Sequence, residues 1–416
     1  MKRLIIHHIR QLVTVSGPNR LRRGAEMGDL KIIENGFLVV EAGKIIALGS
    51  NRDYLAFVNT EQCELINGED FIVLPGFIDS HTHLVHYGSR ENDLERQAKG
   101  ESYLDILKSG GGIHQTVSQT QNASFSQLYE KAKASLKTML AFGVTTVEAK
   151  SGYGLDFASE KKQLEVGKAL NKELGPLVVN TFMGAHAFPK TCEHRDTYLS
   201  NLLKWMEVFR KEELAEFVDV FCEEGVFSLA ETKLILERAQ ALGYGLKMHA
   251  DEMVSLGGTS LAVSLNCHSV DHLLVTKDED IDLLATSTTV ATILPLTSFY
   301  LNKPMARARF MIDKGCGIAI ATDYNPGTSP SENLQLAMQM AFLKGKLTPE
   351  EIITAVTINA AVSLGLEKRK GSFEVGKDAD LVFLKIPNLA YLLYHFGINH
   401  VHSVYIGGQK LIERET

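Results

Sequence analysis

Apolar positions along the 416 residues form short runs bounded by turn residues, and the spacing between runs changes twice. From residue 4 to about 73 the runs 4–9, 31–33, 37–40 and 44–48 are separated by Glu34-Asn35-Gly36 and Glu41-Ala42-Gly43, which predicts β-strands joined by tight turns. Strand-like runs return at 371–384, 401–406 and 410–412. The N-terminal unit holds too few apolar positions to fold alone and needs a partner elsewhere in the chain. The simplest assembly pairs residues 1–73 with 363–416 as one small β-sandwich domain, and inserts 74–362 between them. Inside the insert, the run that ends near residue 83 is followed by 143–148, 177–184, 217–222, 245–249, 268–271, 288–294 and 317–323. Stretches of helical period alternate with them, including 125–140, 158–173, 198–209, 229–242 and 333–342. That alternation predicts an α/β fold, a (β/α)8 TIM barrel of about 250 residues.

In such a barrel the chemistry sits at the C-terminal ends of the strands. The first strand ends in His81-Thr82-His83, and residues spaced i, i+2 on a strand share a face. Two imidazoles suit zinc or iron but are too few to hold either. The fifth strand ends at His249 and the eighth at Asp323, so His81, His83, His249 and Asp323 form a His3Asp set with room for water. Taken alone, Asp323 reads as a helix cap or turn residue; four convergent strand ends favour ligation. His272, after strand six, and His186, after strand three, occupy further mouth positions.

Hydrophobic residues make up 45% and charged residues 22% of the chain, ordinary values for a globular protein. With a net charge of −7 and no basic run, neither nucleic acid nor an anionic membrane is an expected partner. Five scattered cysteines without a CxxC pair read as free thiols in a reducing compartment. His7, His8 and Arg10 stand where a signal peptide needs apolar residues, and no apolar run reaches membrane-spanning length. A cytoplasmic protein is expected.

The HxH pair, the histidines after strands five and six, the aspartate after strand eight and the late Gly376-Lys377-Asp378-Ala379-Asp380-Leu381-Val382 stretch resemble the amidohydrolase superfamily of metal-dependent hydrolases. Further segments narrow the resemblance: Gly88-Ser89-Arg90, Gly110-Gly111-Gly112-Ile113, Lys150-Ser151-Gly152-Tyr153-Gly154, Met183-Gly184-Ala185-His186, Lys247 to Glu252, and Thr322 to Thr328. They are similar to the branch that hydrolyses the cyclic amide C–N bond of 4-imidazolone-5-propanoate to N-formimidoyl-L-glutamate in histidine degradation. That resemblance implies a homodimer with one divalent or trivalent transition metal per subunit, zinc or iron, on His81, His83, His249 and Asp323. It also implies substrate contacts at Arg90, Tyr153, His186, Glu252 and Thr328, with Asn325 and Gly327 joining Tyr153 around the ring-opened product. There are two departures: Ser80 stands where proline is expected, and 220–224 lacks the lysine of a bridging carbamate, which favours one metal.

For the chemistry, Asp323 is the expected acceptor of the water proton. His272 would orient hydroxide or stabilise the oxyanion, and Glu252 would return a proton to the leaving nitrogen. Arg90 offers the planar fork that an anionic propionate needs in a protein of this charge. Another cyclic amidohydrolase, or an aminohydrolase acting on a base, would share the metal set; Arg90, Tyr153 and the 325–328 loop argue against it. A catalytically dead relative would have lost ligands that are all present here.

Overall fold

The computed structural model describes residues 3–59, 63–101, 105, 111–171 and 175–414. Gly110 and the end of the expected 158–173 helix lie outside the described residues.

Two eight-stranded sheets organise the chain. The terminal strands are β1 (Arg3–Val13), β2 (Ile32–Glu41), β3 (Lys44–Ser50), β4 (Cys63–Asn67), β5 (Ile72–Pro75), β14 (Leu381–Leu384), β15 (Val401–Ile406) and β16 (Gln409–Glu413). They run in the order β16-β15-β14-β5-β1-β2-β3, with β4 also paired to β1. The joint between the two ends of the chain is β5 against β14, antiparallel, Ile72 opposite Leu384 and Pro75 opposite Leu381. The sheet curls until the β2–β3 turn at Gly43 touches the β15–β16 turn at Gly407. Leu4, Ile6, Leu38, Val40, Leu381, Phe383 and Tyr405 are buried together inside that curl.

One expected turn is a strand interior. Glu34-Asn35-Gly36 lies within β2, opposite a shift in the register of β1 between Ile6 and Ile9. Asn35 adopts φ +47° without reversing the chain, and Gly36 lets β2 pass Leu12, whose Cβ would lie 3.0 Å from an added methyl. An Asn-Gly pair therefore marks a kink here rather than a hairpin.

The second sheet is the barrel: β6 (Phe77–Asp79), β7 (Val144–Lys150), β8 (Leu177–Ala185), β9 (Phe217–Cys222), β10 (Gly245–Ala250), β11 (Ser269–His272), β12 (Val290–Ile293) and β13 (Ile318–Ile320), each parallel to the next. Apart from Leu177, Phe221 and Gly245 these strands are buried throughout, as parallel strands covered by helices must be. The helix Phe125–Ala141 shows how they are covered. Ser124 and Gln127 close a capping box at its start, and Leu128, Ala132, Leu136 and Met139 line its buried face at helical spacing. Strands β6 and β13 meet at the C-terminal mouth. The Asp79 carboxylate accepts from the Thr322 amide at 3.0 Å and hydroxyl at 2.7 Å, and Thr82 bridges Tyr324.

The apolar run before His81 belongs to both sheets. β5 ends at Pro75 and β6 begins at Phe77; a Cβ on the intervening Gly76 would come within 2.2 Å of Thr145 Oγ1. The segment carrying the two histidines is thus anchored on one side by the terminal sheet and on the other by the barrel.

Candidate active site

His81 and His83 follow β6 in extended backbone. The Asp323 amide donates to His81 O at 3.0 Å, and the His83 amide donates to Tyr324 O at 2.8 Å. That pairing keeps both imidazoles on one side of the segment. His249 is on β10, His272 ends β11 and Asp323 lies just beyond β13. The His81 ring is 4.5 Å from that of His249, and His249 is 5.1 Å from His272. Asp323 Oδ1 lies 3.4 Å from His81 Nε2 and 3.8 Å from His83 Nε2. Donor atoms of His81, His83 and His249 fall within 4.8 Å of one another, as do those of His81, His272 and Asp323. His272 and Asp323 hold φ of +82° and +53°, backbone strain worth about 1–3 kcal/mol each that surrounding packing must offset.

The residues fit a divalent metal. His81 Nδ1–H donates to Asp271 Oδ2 at 2.6 Å, and His249 Nδ1–H donates to Asp219 Oδ1 at 3.0 Å. Both Nε2 atoms are buried and have no hydrogen-bond partner among the described residues. Lone pairs aimed into a shared space by carboxylates behind the ring are the donor set such an ion takes. Burial drives the pKa of His81, His83 and His249 well below the ordinary value, which keeps the imidazoles neutral. Burial pushes Asp323 the other way, up to about 7, against the pull of His272 and the Thr297 hydroxyl. Thr297 donates to Asp323 Oδ2 at 2.6 Å, which leaves Oδ1 facing the histidines.

Beneath this set lies a layer of fully buried charge. Lys150 Nζ reaches Glu148 at 2.8 Å and Asp219 at 2.6 Å, with Asp271 at 3.7 Å. Lys247 Nζ reaches Glu148 at 3.0 Å and the Ser80 carbonyl at 2.9 Å. Burial opposes the charge on Lys150, but Asp219, Glu148 and Asp271 outweigh it and raise its pKa, so the ammonium stays protonated. Two cations therefore face three carboxylates, a negative surplus suited to a cation above. The contact from Ser80 is made by its carbonyl, which any residue at this position would supply. Sequence reading missed this layer. The available signal was a charged residue inside each of several apolar strands, at Glu148, Lys150, Asp219, Lys247 and Asp271, because burying such a group is costly unless it is paired.

Across the mouth, Arg90 Nε donates to Thr116 Oγ1 at 2.8 Å. A Cβ on Gly327 would sit 2.2 Å from Arg90 Nη1, so a side chain there would displace the guanidinium. His186 stacks on His83 at 4.8 Å and donates from Nδ1–H to Gly152 O at 3.1 Å; burial lowers its pKa to about 4. Tyr153 is buried 5.2 Å from His186 and 5.5 Å from His83. Glu252 Oε2 lies 3.7 Å from His272 Nε2, and burial, with repulsion from Glu223, raises its pKa to about 7. Glu223 itself accepts from the Met253 and Val254 amides at 2.9 and 3.0 Å, which fixes the loop just after Glu252. Asn325 is used within its own turn. Its amide nitrogen donates to Asp323 O at 2.7 Å and Thr328 Oγ1 at 2.9 Å, while its oxygen accepts from the Gly327 and Thr328 amides at 2.8 Å.

Residues 72–411 match the amidohydrolase family. The chain is 46% identical to the imidazolonepropionase of Alkaliphilus oremlandii over 412 residues, 98% of each chain. It is 47% identical to that of Caldanaerobacter subterraneus subsp. tengcongensis over 403 residues, 96% of each. Among solved structures it resembles E. coli guanine deaminase, with a TM-score of 0.76, 14% identity and 100% of both chains covered. A zinc-bound adenosine deaminase from Xanthomonas campestris gives a TM-score of 0.74 at 17% identity, covering 99% of this chain and 93% of that one. At such identities the two deaminases speak to the fold alone, whereas the near full-length identity to the first two relatives speaks to kinship. The chain belongs to the amidohydrolase family and, within it, to the imidazolonepropionases.

Proposed function

We propose that the mouth site hydrolyses the ring amide of 4-imidazolone-5-propanoate, giving N-formimidoyl-L-glutamate, with His81, His83, His249 and Asp323 holding one zinc or iron ion. When bound, such an ion lowers the pKa of a coordinated water to about 7 and polarises a carbonyl beside it. The protein's own groups do the rest. Asp323, which turns Oδ1 toward the histidines and Oδ2 toward the Thr297 hydroxyl, accepts the proton of the attacking water. His272 faces the same space from β11 and donates to the oxygen that becomes anionic at the ring carbonyl. Glu252, protonated near neutrality, returns a proton to the leaving ring nitrogen. Arg90 binds the propionate carboxylate with its terminal nitrogens, its Nε being held by Thr116. His186 and Tyr153 contact the ring, and Gly327 and Thr328 border the carboxylate end.

The observation that carries this proposal is the guanidinium of Arg90, anchored against Gly327 at the mouth into which His81 and His249 turn Nε2 atoms without a hydrogen-bond partner among the described residues. A base deaminase has no need of a fork for a flexible carboxylate. We also infer a cytoplasmic homodimer. Five unpaired cysteines support the compartment, and the exposed Tyr394, Phe396 and Ile398 support an interface on the C-terminal segment. Among the described residues no helix is long and apolar enough to cross a membrane.

Incubating the purified protein with 4-imidazolone-5-propanoate, and separately with guanine or adenosine, tests the proposal. Stoichiometric N-formimidoyl-L-glutamate from the first alone is expected; ammonia from either base, with the imidazolone untouched, would overturn it.

A further inference from the structure

Glu160 is fully buried on the helix Phe157–Leu170 and has no role in the chemistry described above. Its carboxylate turns away from its own helix, whose start is already capped by Asp156 accepting from the Ser159 amide at 2.9 Å. It faces the main chain of the loop that carries Tyr153. Oε1 accepts from the amides of Gly154 and Leu155, both at 2.8 Å, and Oε2 from the amide of Gly152 at 3.1 Å. The Ser151 hydroxyl hydrogen-bonds to the same carboxylate. Consecutive loop residues from 151 to 155, Tyr153 excepted, therefore converge on one side chain.

That loop would not hold this shape alone. Gly152 and Leu155 sit at φ +107° and +55°, and for Leu155 the left-handed region is unfavourable. Packing is also tight, since a Cβ on Gly154 would approach the Glu160 amide to 2.5 Å. What the loop presents is functional. The Gly152 carbonyl fixes the ring of His186, Tyr153 packs against both His83 and His186, and Ser151 Oγ accepts from the Met183 amide at 2.9 Å, tying the loop to β8.

We propose that Glu160 is the positioning residue of the substrate site, setting Tyr153 and His186 through the backbone of residues 151–155. This role rests on Tyr153 and His186 touching the substrate. Burial raises the pKa of Glu160 while the surrounding donors pull it down, and in its ionised form the carboxylate offers acceptors alone to that ring of donors. A glutamine of the same shape must turn an NH2 group toward one of those amides, leaving an N–H···H–N clash and an orphaned donor.

The test compares steady-state kinetics on 4-imidazolone-5-propanoate for Glu160→Gln, Glu160→Asp, Tyr153→Phe and Val166→Ala, with metal content and Tm measured for each. Val166 is buried on the same helix, so Val166→Ala loosens it without touching the loop. Glu160→Asp keeps the charge but withdraws the oxygens, and serves alone if the glutamine variant does not fold. Both Glu160 variants are expected to raise KM by roughly tenfold, with kcat within about threefold and metal content unchanged. Val166→Ala is expected to lower Tm at unaltered KM. A raised KM in Tyr153→Phe with an unaltered KM in both Glu160 variants overturns the role of Glu160 and leaves the substrate contacts standing. An equal rise in Val166→Ala overturns it too, because general loosening then suffices. An unaltered KM in Tyr153→Phe overturns the contact itself, and with it the positioning role.

Discussion

Glu252 and Arg90 differ in what their loss should do. Burial raises Glu252 to about 7, so the folded state binds its proton more tightly than the unfolded chain does. Stability therefore falls as pH rises from the ordinary glutamate range through about 7, and is level above that. Glu252→Gln removes this penalty: stability is expected to exceed wild type by roughly 3 kcal/mol at pH 8, with a higher Tm, and to be nearly equal at pH 4. The same variant is expected to lose about 10²-fold or more in kcat at full metal content, and a loss of metal would instead assign Glu252 to the ligand set. Arg90→Lys replaces a fork by a point charge and withdraws the partner of Thr116, so KM is expected to rise about tenfold with kcat little changed; an unaltered KM would refute the carboxylate contact. The proposed ligands were legible because a strand end exposes them in the chain as His81-Thr82-His83, His249 and Asp323. Thr116, Thr297 and Glu160 were not. Thr116 and Thr297 act through contacts 26 residues away in sequence and Glu160 through the backbone of a loop before its helix, and nothing in their local spacing distinguishes them from packing residues.

The strands of the barrel carry polar groups in two layers, imidazoles at their ends and buried charges one step below. Because side chains alternate, Lys150 shares a face with Glu148, and Lys247 shares one with His249. Asp219 and Asp271 each hold one proposed ligand, and Lys150 touches both. Asp271→Asn, which keeps the shape but weakens the acceptor behind His81, is expected to lower metal affinity about 10- to 100-fold in a chelator competition. Lys150→Met leaves three carboxylates with one buried cation, and is expected to destabilise the fold by about 3–5 kcal/mol in denaturant unfolding. Element boundaries were less legible than element types. The run before His81 is continuous in hydropathy, yet Pro75 and Gly76 divide it between two sheets. Asn35-Gly36 has the composition of a turn but relieves crowding inside a strand. In both places the deciding contact comes from the far end of the chain or from another strand, which local pattern does not contain.

At the scale of the molecule, the terminal sheet clamps the segment that leads into the mouth, and the mouth itself is where β6 and β13 close. The architecture of barrel and joined termini was legible because eight alternating segments and strand-like ends admit few other assemblies. The buried charge layer lies beneath the site and ties the strands that carry the proposed ligands to one another. Turnover of 4-imidazolone-5-propanoate is proposed to depend on one metal ion at this mouth. The most direct test of that dependence is the rate measured against metal occupancy: as purified, after chelation, and on stepwise return of zinc or of iron. The expected result is activity that vanishes with the metal and returns linearly, reaching its plateau at one ion per subunit, and no recovery in His249→Ala. Undiminished turnover in fully stripped protein, or a plateau at two ions, would contradict it.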